Sequence, residues 1–430
     1  MADDQHPRIA SYQADPQQVG RVLLLYSGGL DTSVMLHWIQ QRYGAEVVTL
    51  TVDLGQPGED WEGVLAKARD LGAIEAVVAD AREEFADAYV LPAIRANALY
   101  GGGYPLFTAL ARPLIAKLAV EQARASGCDT IAHGCTGKGN DQVRIDATIA
   151  TLDQSLKVLA PVREWQMGRE EEIAYAREHS IPLKGGVAAA PYSIDDNLWG
   201  RSSEGRSIEN LDEPPPDDVF TLVTRPEQAP DEPELVRIGF EQGRPVSVDG
   251  EALELVELIE RVGEIGARHG AGIVDHIEDR IVGLKVRDIY EVPAAAVLLK
   301  AHRELEKLVS TIHQNNFKRA LEDKWAYLCY AGLWLEPLRL DLDAYMESAN
   351  RFVTGEVSVK LFKGSATVVT RSSPYALYDR TLASFGESGG EFSQAASPGF
   401  IELFTLQSRM AHRVRAGATG VGAGDRVGKD

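Results

Sequence analysis

Between residues 21 and 182, short apolar runs alternate with longer amphipathic stretches, and Gly, Pro and polar residues mark the joins. Residues 22–26 (VLLLY) are one continuous apolar run, the pattern of a strand buried on both faces. From Thr32 to Gly44 the apolar spacing at Val34, Leu36, Trp38 and Ile39 is only loosely helical, yet nothing breaks it, so a helix is expected. The alternation then repeats. Strands are expected at 46–52, 74–79, 130–133 and 156–159, and helices at about 60–71, 82–94, 110–125, 141–151 and 169–179. Repeated strand–helix units predict an α/β fold with a doubly wound parallel sheet, whose ligand sits beyond the C-terminal ends of the strands.

The pattern changes near residues 183–190, where a domain boundary is expected. Residues 212–233 begin with Pro214, Pro215 and Pro216 and continue with acidic residues and more prolines, an extended surface connection. Helices are expected at 251–267, with Asp249 as N-cap, and at 294–310 and 317–335. Residues 357–362 and 366–370 alternate on either side of Lys363 and Gly364, a hairpin signature. Residues 401–415 form a last helix carrying Leu403, Phe404, Leu406 and Met410; it docks on another subunit or on its own domain. The expected organisation is a flexible tail (1–20), a parallel-sheet domain (21–185), an α+β domain (186–400), a C-terminal helix (401–416) and a second flexible tail (417–430).

Charge and cysteine usage narrow the partners. Lys and Arg number 44 against 64 Asp and Glu, a net charge of −20. Such acidity argues against a nucleic-acid partner, because phosphate backbones need a basic surface. No apolar run is long enough to cross a bilayer, and residues 1–18 lack the apolar core of a secretory signal. Cys128, Cys135 and Cys329 make no CxxC pair, which fits a reducing cytoplasm better than a zinc site or a disulfide framework.

Two loops carry the chemistry. Residues 27–33 (SGGLDTS) join the first strand to the first helix. Free backbone N–H groups and the positive end of the helix dipole then converge on one spot, an anion site. Gly28 and Gly29 admit a phosphate closely, and Ser27, Thr32 and Ser33 add hydroxyls. Asp31 suits a phosphate cradle only if a cation bridges the two, which implies Mg²⁺. The lysine of the GxxxxGK[ST] loop is absent. SGGLDTS instead resembles the PP-loop of the N-type ATP pyrophosphatases, which hold the β,γ-pyrophosphate of ATP and transfer AMP. The second loop, residues 133–144 (HGCTGKGNDQVR), interleaves three glycines with donors and acceptors at the same sheet edge. Asn140 and Arg144 are four apart and share a helix face, and an arginine flanked by amides suits a carboxylate.

Together the two loops resemble those of the argininosuccinate synthase family. Residues 104–117, 192–202, 268–270, 278–285, 287–291 and 359–364 resemble further family segments in the same order, so the likeness spans about residues 21–412. It implies a PP-loop nucleotide-binding domain and a synthetase and oligomerisation domain. It also implies an AMP-forming ligation of citrulline to aspartate through a citrullyl-adenylate, in arginine biosynthesis, by a cytoplasmic homotetramer with ATP as co-substrate and Mg²⁺ as cofactor. By the same likeness ATP is held by Leu25, Tyr26, Ser27, Gly28, Gly29, Leu30, Asp31, Thr32, Ser33, Val52 and Gly134. Aspartate falls to Thr136, Asn140 and Asp141, and citrulline to Tyr104, Asn140, Arg144, Ser193, Ser202, Glu278 and Tyr290. Asp31 acts catalytically by holding Mg²⁺.

The chain departs from the family in two places. Ala109 stands where a serine is expected near citrulline, and Thr108 or a water takes over its hydroxyl. Cys135 stands where alanine is usual; with no His–Asp relay in sight, it reads as a small packing residue. His133 and His269 read as satisfied imidazoles rather than general bases. A tRNA-thiolating ligase is disfavoured by the acidic charge and scattered cysteines, an amidotransferase-coupled synthetase by the lack of a glutaminase segment, and a silent sensor by the intact first loop.

Overall fold

A computed structural model describes residues 18–165, 167–182, 192–383 and 393–419. Five strands, β1 (Arg21–Leu25), β2 (Glu46–Asp53), β3 (Glu75–Asp80), β4 (Thr130–Ala132) and β5 (Lys157–Leu159), form a parallel sheet in the order β3-β2-β1-β4-β5. The doubly wound α/β expectation holds. Alternation along β1 shows why its run is apolar throughout: Leu23 faces one core with Phe85, Leu110 and Leu114, while Val22 and Leu24 face another with Met35, Leu36 and Ile39. The order reverses at β1, between β2 and β4, so the crevice beyond the ends of β1 and β4 is the topological switch point. Both Gly-rich loops leave from there.

The remaining strands are β6 (Ser193–Asn197), β7 (Gly200–Glu204), β8 (Glu234–Glu241), β9 (Arg244–Val248), β10 (Glu251–Ala252), β11 (Ile273–Asp279), β12 (Lys285–Glu291), β13 (Gly355–Phe362) and β14 (Ser365–Ser372). They build a five-stranded sheet, β10-β9-β8-β13-β14, and a four-stranded sheet, β11-β12-β7-β6, all antiparallel. The hairpin at Lys363 and Gly364 forms as expected, both residues taking positive φ (42° and 85°) as a type I′ turn requires.

Several boundaries differ from expectation. The helix expected at 82–94 contains a π-helical turn, Ala86–Val90, before Leu91–Arg95. Pro92 has no N–H to give to Ala88, and its ring crowds that carbonyl, so the ladder widens there. Asp249 is not a helix cap: it turns at φ 51° and its carboxylate accepts the Arg237 N–H, and the helix starts later, at Leu255–Arg268. The helix expected at 317–335 is Ile312–Tyr330, opened by a Thr311–Gln314 capping box, and a separate helix, Pro337–Asn350, follows. The expected boundary at 183–190 lies outside the described residues.

By packing, the chain divides into two compact units, residues 1–376 and 377–430. All three sheets belong to the first. In the second, the expected C-terminal helix is two helices, Ser397–Phe404 and Leu406–Thr419, with Phe400 stacked on Phe404 at 5.2 Å.

Candidate active site

The first loop braces itself from within. Ser33 is fully buried: its hydroxyl donates to the Gly29 carbonyl (2.5 Å) and lies 3.1 Å from Tyr26 Oη. Ser27 Oγ and Thr32 Oγ1 are 3.1 Å apart, and Lys67 Nζ donates to the Gly28 carbonyl at 2.8 Å. Helix Leu30–Tyr43 has Gly29 as N-cap, which offers no side-chain acceptor, so the N–H groups of the first turn keep their capacity for an anion. Asp31 is half exposed at the loop's mouth, with Arg169 Nη1 at 2.8 Å. Glu172 lies beside it; burial first, then the Asp31 charge, push its carboxyl up to about 8.

The second loop approaches the first closely. A Cβ on Gly134 would stand 2.6 Å from Met35 Cε, so any larger residue here would have to push the end of that side chain aside. His133 is committed: Nδ1 accepts the Cys135 N–H at 3.1 Å, and Nε2 therefore carries the hydrogen given to Asp146 at 2.7 Å. His269 is buried at 2.8 Å from Glu234 Oε2 and lines no part of the cleft described below. Burial and the nearby Asp141 charge hold the Cys135 thiol well above its ordinary range, so it stays protonated. Cys135→Ala is therefore expected to leave kcat within a few-fold; a loss as large as that of Asp31→Asn in the same turnover assay would point to thiol chemistry.

Beyond these loops lies a cleft of about 300 Å³, lined by Asp31, Gly134 and Thr136 on one side and by residues of the antiparallel β11-β12-β7-β6 sheet on the other. The sheet's period of two explains its floor. Ser193 pairs with Glu204, Asp195 with Ser202, Ser202 with Tyr290 and His276 with Asp288, so these polar side chains share one face, together with Glu278.

Asn140, Asp141 and Arg144 enter from the start of helix Asp141–Leu152. Arg144 is 3% exposed; Nε donates to the Tyr330 carbonyl (3.0 Å), Nη1 to Asp141 (2.8 Å) and weakly to Thr108 Oγ1 (3.4 Å). Its Nη2 is buried with no hydrogen-bond partner among the described residues. Gly332, at φ 77°, lets the chain after helix Ile312–Tyr330 press on this arginine: a Cβ there would lie 2.8 Å from Arg144 Cα. Burial works against ionisation of Asp141, but Arg112 and Arg144 outweigh it and hold that carboxyl down at about 2. Glu278, 4% exposed, accepts from Tyr330 Oη (2.6 Å), Asn140 Nδ2 (3.2 Å) and Tyr290 Oη. Tyr104 stacks on Tyr290 with ring centroids 4.5 Å apart. Ala109 is fully buried, and the neighbouring Thr108 lines the cleft with its Oγ1 2.5 Å from Tyr104 Oη.

The structure thus brings Asp31, Gly134, Thr136, Asn140, Asp141, Tyr104, Arg144, Ser193, Ser202, Glu278 and Tyr290 to one cleft. Of the expected nucleotide residues only Asp31 and Gly134 line it: Leu25, Tyr26, Ser27, Gly28, Gly29, Leu30, Thr32 and Ser33 stay outside, as does Val52, whose carbonyl accepts from Gln56 Nε2 at 3.1 Å. Sequence reasoning missed Arg112, which bridges Asp141 (2.8 Å) and Asp195 (2.9 Å), and also Tyr330, Glu204, Arg280 and Asp288. The even-numbered polar positions of β7 and β12 were the available signal, once those segments are read as strands. A larger cavity, about 780 Å³, opens beside Asp53 and helix Leu255–Arg268, but none of the expected residues lines it.

Comparison with known proteins places the whole chain. The Arginosuccinate synthase N-terminal HUP domain matches residues 21–182, and the Arginosuccinate synthase C-terminal domain matches residues 192–411. An argininosuccinate synthase of Rubrobacter xylanophilus is 56% identical over 90% of this chain and 94% of its own. One of Pyrococcus furiosus is 51% identical over 92% and 95%. A solved 4-thiouridine synthetase–RNA complex with bound ATP is 18% identical over 37% of this chain and 40% of its own, at a TM-score of 0.28, too slight a likeness to carry an argument. With both family domains matched in order and half of all residues shared along nearly the whole length, the chain belongs to the argininosuccinate synthase family.

Proposed function

We propose that this cleft is where the chain, an ATP-dependent, AMP-forming carbon–nitrogen ligase, converts ATP, citrulline and aspartate to argininosuccinate, AMP and pyrophosphate. One observation carries the assignment of the site: Asp31 of the SGGLDTS loop and the ends of an amino-acid clamp, Arg144 and Glu278, line the same cleft at the switch point of the sheet. The ureido oxygen of citrulline attacks the α-phosphorus, and the bond to pyrophosphate breaks. The amine of aspartate, having lost its proton, then attacks the activated ureido carbon, and AMP leaves with the oxygen.

Leu25, Tyr26, Ser27, Gly28, Gly29, Leu30, Asp31, Thr32 and Ser33 shape the grip on the leaving pyrophosphate, with Val52 and Gly134 beside the nucleotide. Ser33 does so from inside the loop, since its hydroxyl is spent there. The donor set fits Mg²⁺ that arrives with ATP: among the described residues no group of three His, Cys, Asp or Glu would cage a metal, and Asp31 is one half-exposed carboxylate at the loop's mouth, whose surface pair with Arg169 the cation would have to displace or share. Bound there, the cation would neutralise charge on the departing pyrophosphate. Thr136, Asn140 and Asp141 take aspartate. The unpartnered Nη2 of Arg144 takes the citrulline carboxylate and Glu278 its ammonium, with Tyr104, Asn140, Ser193, Ser202 and Tyr290 around them.

We further read residues 21–185 as the nucleotide-binding domain and 186–400 as the synthetase domain of a cytoplasmic homotetramer. The exposed apolar residues of the last helices, such as Leu403 and Phe404 at 75% each, support association through that segment. Pyrophosphate release tests the reaction. ATP with citrulline alone should give one burst equivalent to the enzyme, and aspartate should convert it to steady turnover. Equal steady release without aspartate would contradict the two-step scheme.

A further inference from the structure

The charges under the citrulline end of the cleft do not balance. Glu204 on β7, Glu278 on β11 and Asp288 on β12 converge there, and the guanidinium that faces them is that of Arg280, paired with Glu204 and 3.6 Å from Asp288 Oδ1. His276 stands opposite Asp288 across the β11–β12 ladder. Arg144 and Asp141, from the helix above, are paired with each other. Asp288 is 4% exposed, and a carboxylate so buried is costly without a partner.

Hydrogen bookkeeping points to its state. Tyr290 Oη has a single hydrogen, and it goes to Glu278 Oε2. The same oxygen lies 3.4 Å from Asp288 Oδ2. With the hydroxyl hydrogen already given away, this second contact and the hydrogen bond between the Asp288 and Glu204 carboxyls both call for a hydrogen on Asp288. A chain results: the Asp288 carboxyl, the Tyr290 hydroxyl, the Glu278 carboxylate.

We propose that Asp288 is a further binding residue of the amino-acid pocket, a carboxyl group that is protonated in the empty site and gives its proton to solvent when the α-ammonium of citrulline takes up the missing positive charge. The proposal rests on the reading that Glu278 receives that ammonium. Burial first, then Glu204 and Glu278 outweighing Arg280, raise the Asp288 carboxyl to about 8, which places the exchange in the physiological range. The sign follows. Below that value the empty site must lose a proton to bind, so citrulline affinity rises with pH until it levels near 8, by at most about tenfold per unit. The acid thereby favours a ligand with a cationic amino end over a neutral amide of similar shape.

Calorimetric titration of the full-length protein with citrulline at pH 7, in two buffers of different ionisation heat, counts the protons directly. The wild type should release close to one proton per citrulline, and Asp288→Asn should release almost none and bind with a nearly flat dependence between pH 6 and 8. No release by the wild type overturns the proposal without any variant. So does an unchanged release by Asp288→Asn, or by Asp288→Gly should the asparagine variant misfold. Glu278→Gln separates the two readings. If it binds citrulline as well as the wild type, the ammonium is not received there; if it loses binding while Asp288→Asn keeps the wild-type pH slope, only the role of Asp288 fails.

Discussion

Replacing Glu278 or Arg144 with alanine is expected to lower kcat/KM for citrulline by roughly 30- to 900-fold, while ATP binding without citrulline stays near wild type. The range corresponds to about 2–4 kcal/mol, the usual loss when one partner of a buried charge is removed and the other is left unpaired. Both side chains are nearly inaccessible, at 4% and 3% exposure, so water cannot readily stand in for the lost group. Each is also held before substrate arrives: Glu278 by Tyr330, Asn140 and Tyr290, and Arg144 by Asp141 and the Tyr330 carbonyl. That pre-ordering spares the substrate the entropy of assembling the clamp. Arg144→Ala also leaves Asp141 with Arg112 as its one guanidinium partner among the described residues, so the variant's aspartate KM should rise as well, whereas Glu278→Ala should leave aspartate less affected. Steady-state kinetics in both amino acids with ATP titrations decides the matter. Wild-type citrulline dependence in both variants, or loss of ATP binding first, would remove the clamp.

Asp31→Asn should keep the fold and lower turnover by about tenfold or more at saturating substrates. The fold survives because Asp31 is half exposed and its contact with Arg169 is a surface ion pair, which contributes little to stability. Turnover falls because an amide no longer anchors a cation against the charge that develops on pyrophosphate. The thermal midpoint should move by no more than a degree or two, and the Mg²⁺ concentration for half-maximal rate should rise. Turnover near wild type at saturating Mg²⁺ would take Asp31 out of the mechanism.

The parallel sheet was readable because β1, β2 and β4 are buried along nearly their whole length and run into glycine-containing loops, so apolar runs and breakers coincide with real boundaries. Val22–Leu24 and the stop at Gly44, in the left-handed conformation, are examples. The strands of the cleft floor were not readable. Ser193–Asn197 reads SIDDN, and its polar positions face a ligand site, where the usual equation of inward with apolar is reversed. Asp249 misled for a related reason: aspartate favours helix caps and positive-φ turns alike, and only the pairing of β8 with β9 selects the turn.

What the sequence determined by itself is the chemistry that local order can encode. A strand, a glycine loop and a helix start within a dozen residues gather free backbone donors at one point whatever the rest does, and SGGLDTS and GKGNDQVR each carry their polar groups on contiguous chain. What only the tertiary structure decided is which charges meet. Arg112 bridges Asp141 and Asp195, and Tyr330 joins Asn140 to Glu278, across separations that no spacing rule links. Asp288 is an ordinary strand residue in sequence; its place beside Glu204, Glu278 and Arg280 exists only once β7, β11 and β12 pair. Electrostatic energy depends on distance and burial, and both are properties of the folded chain.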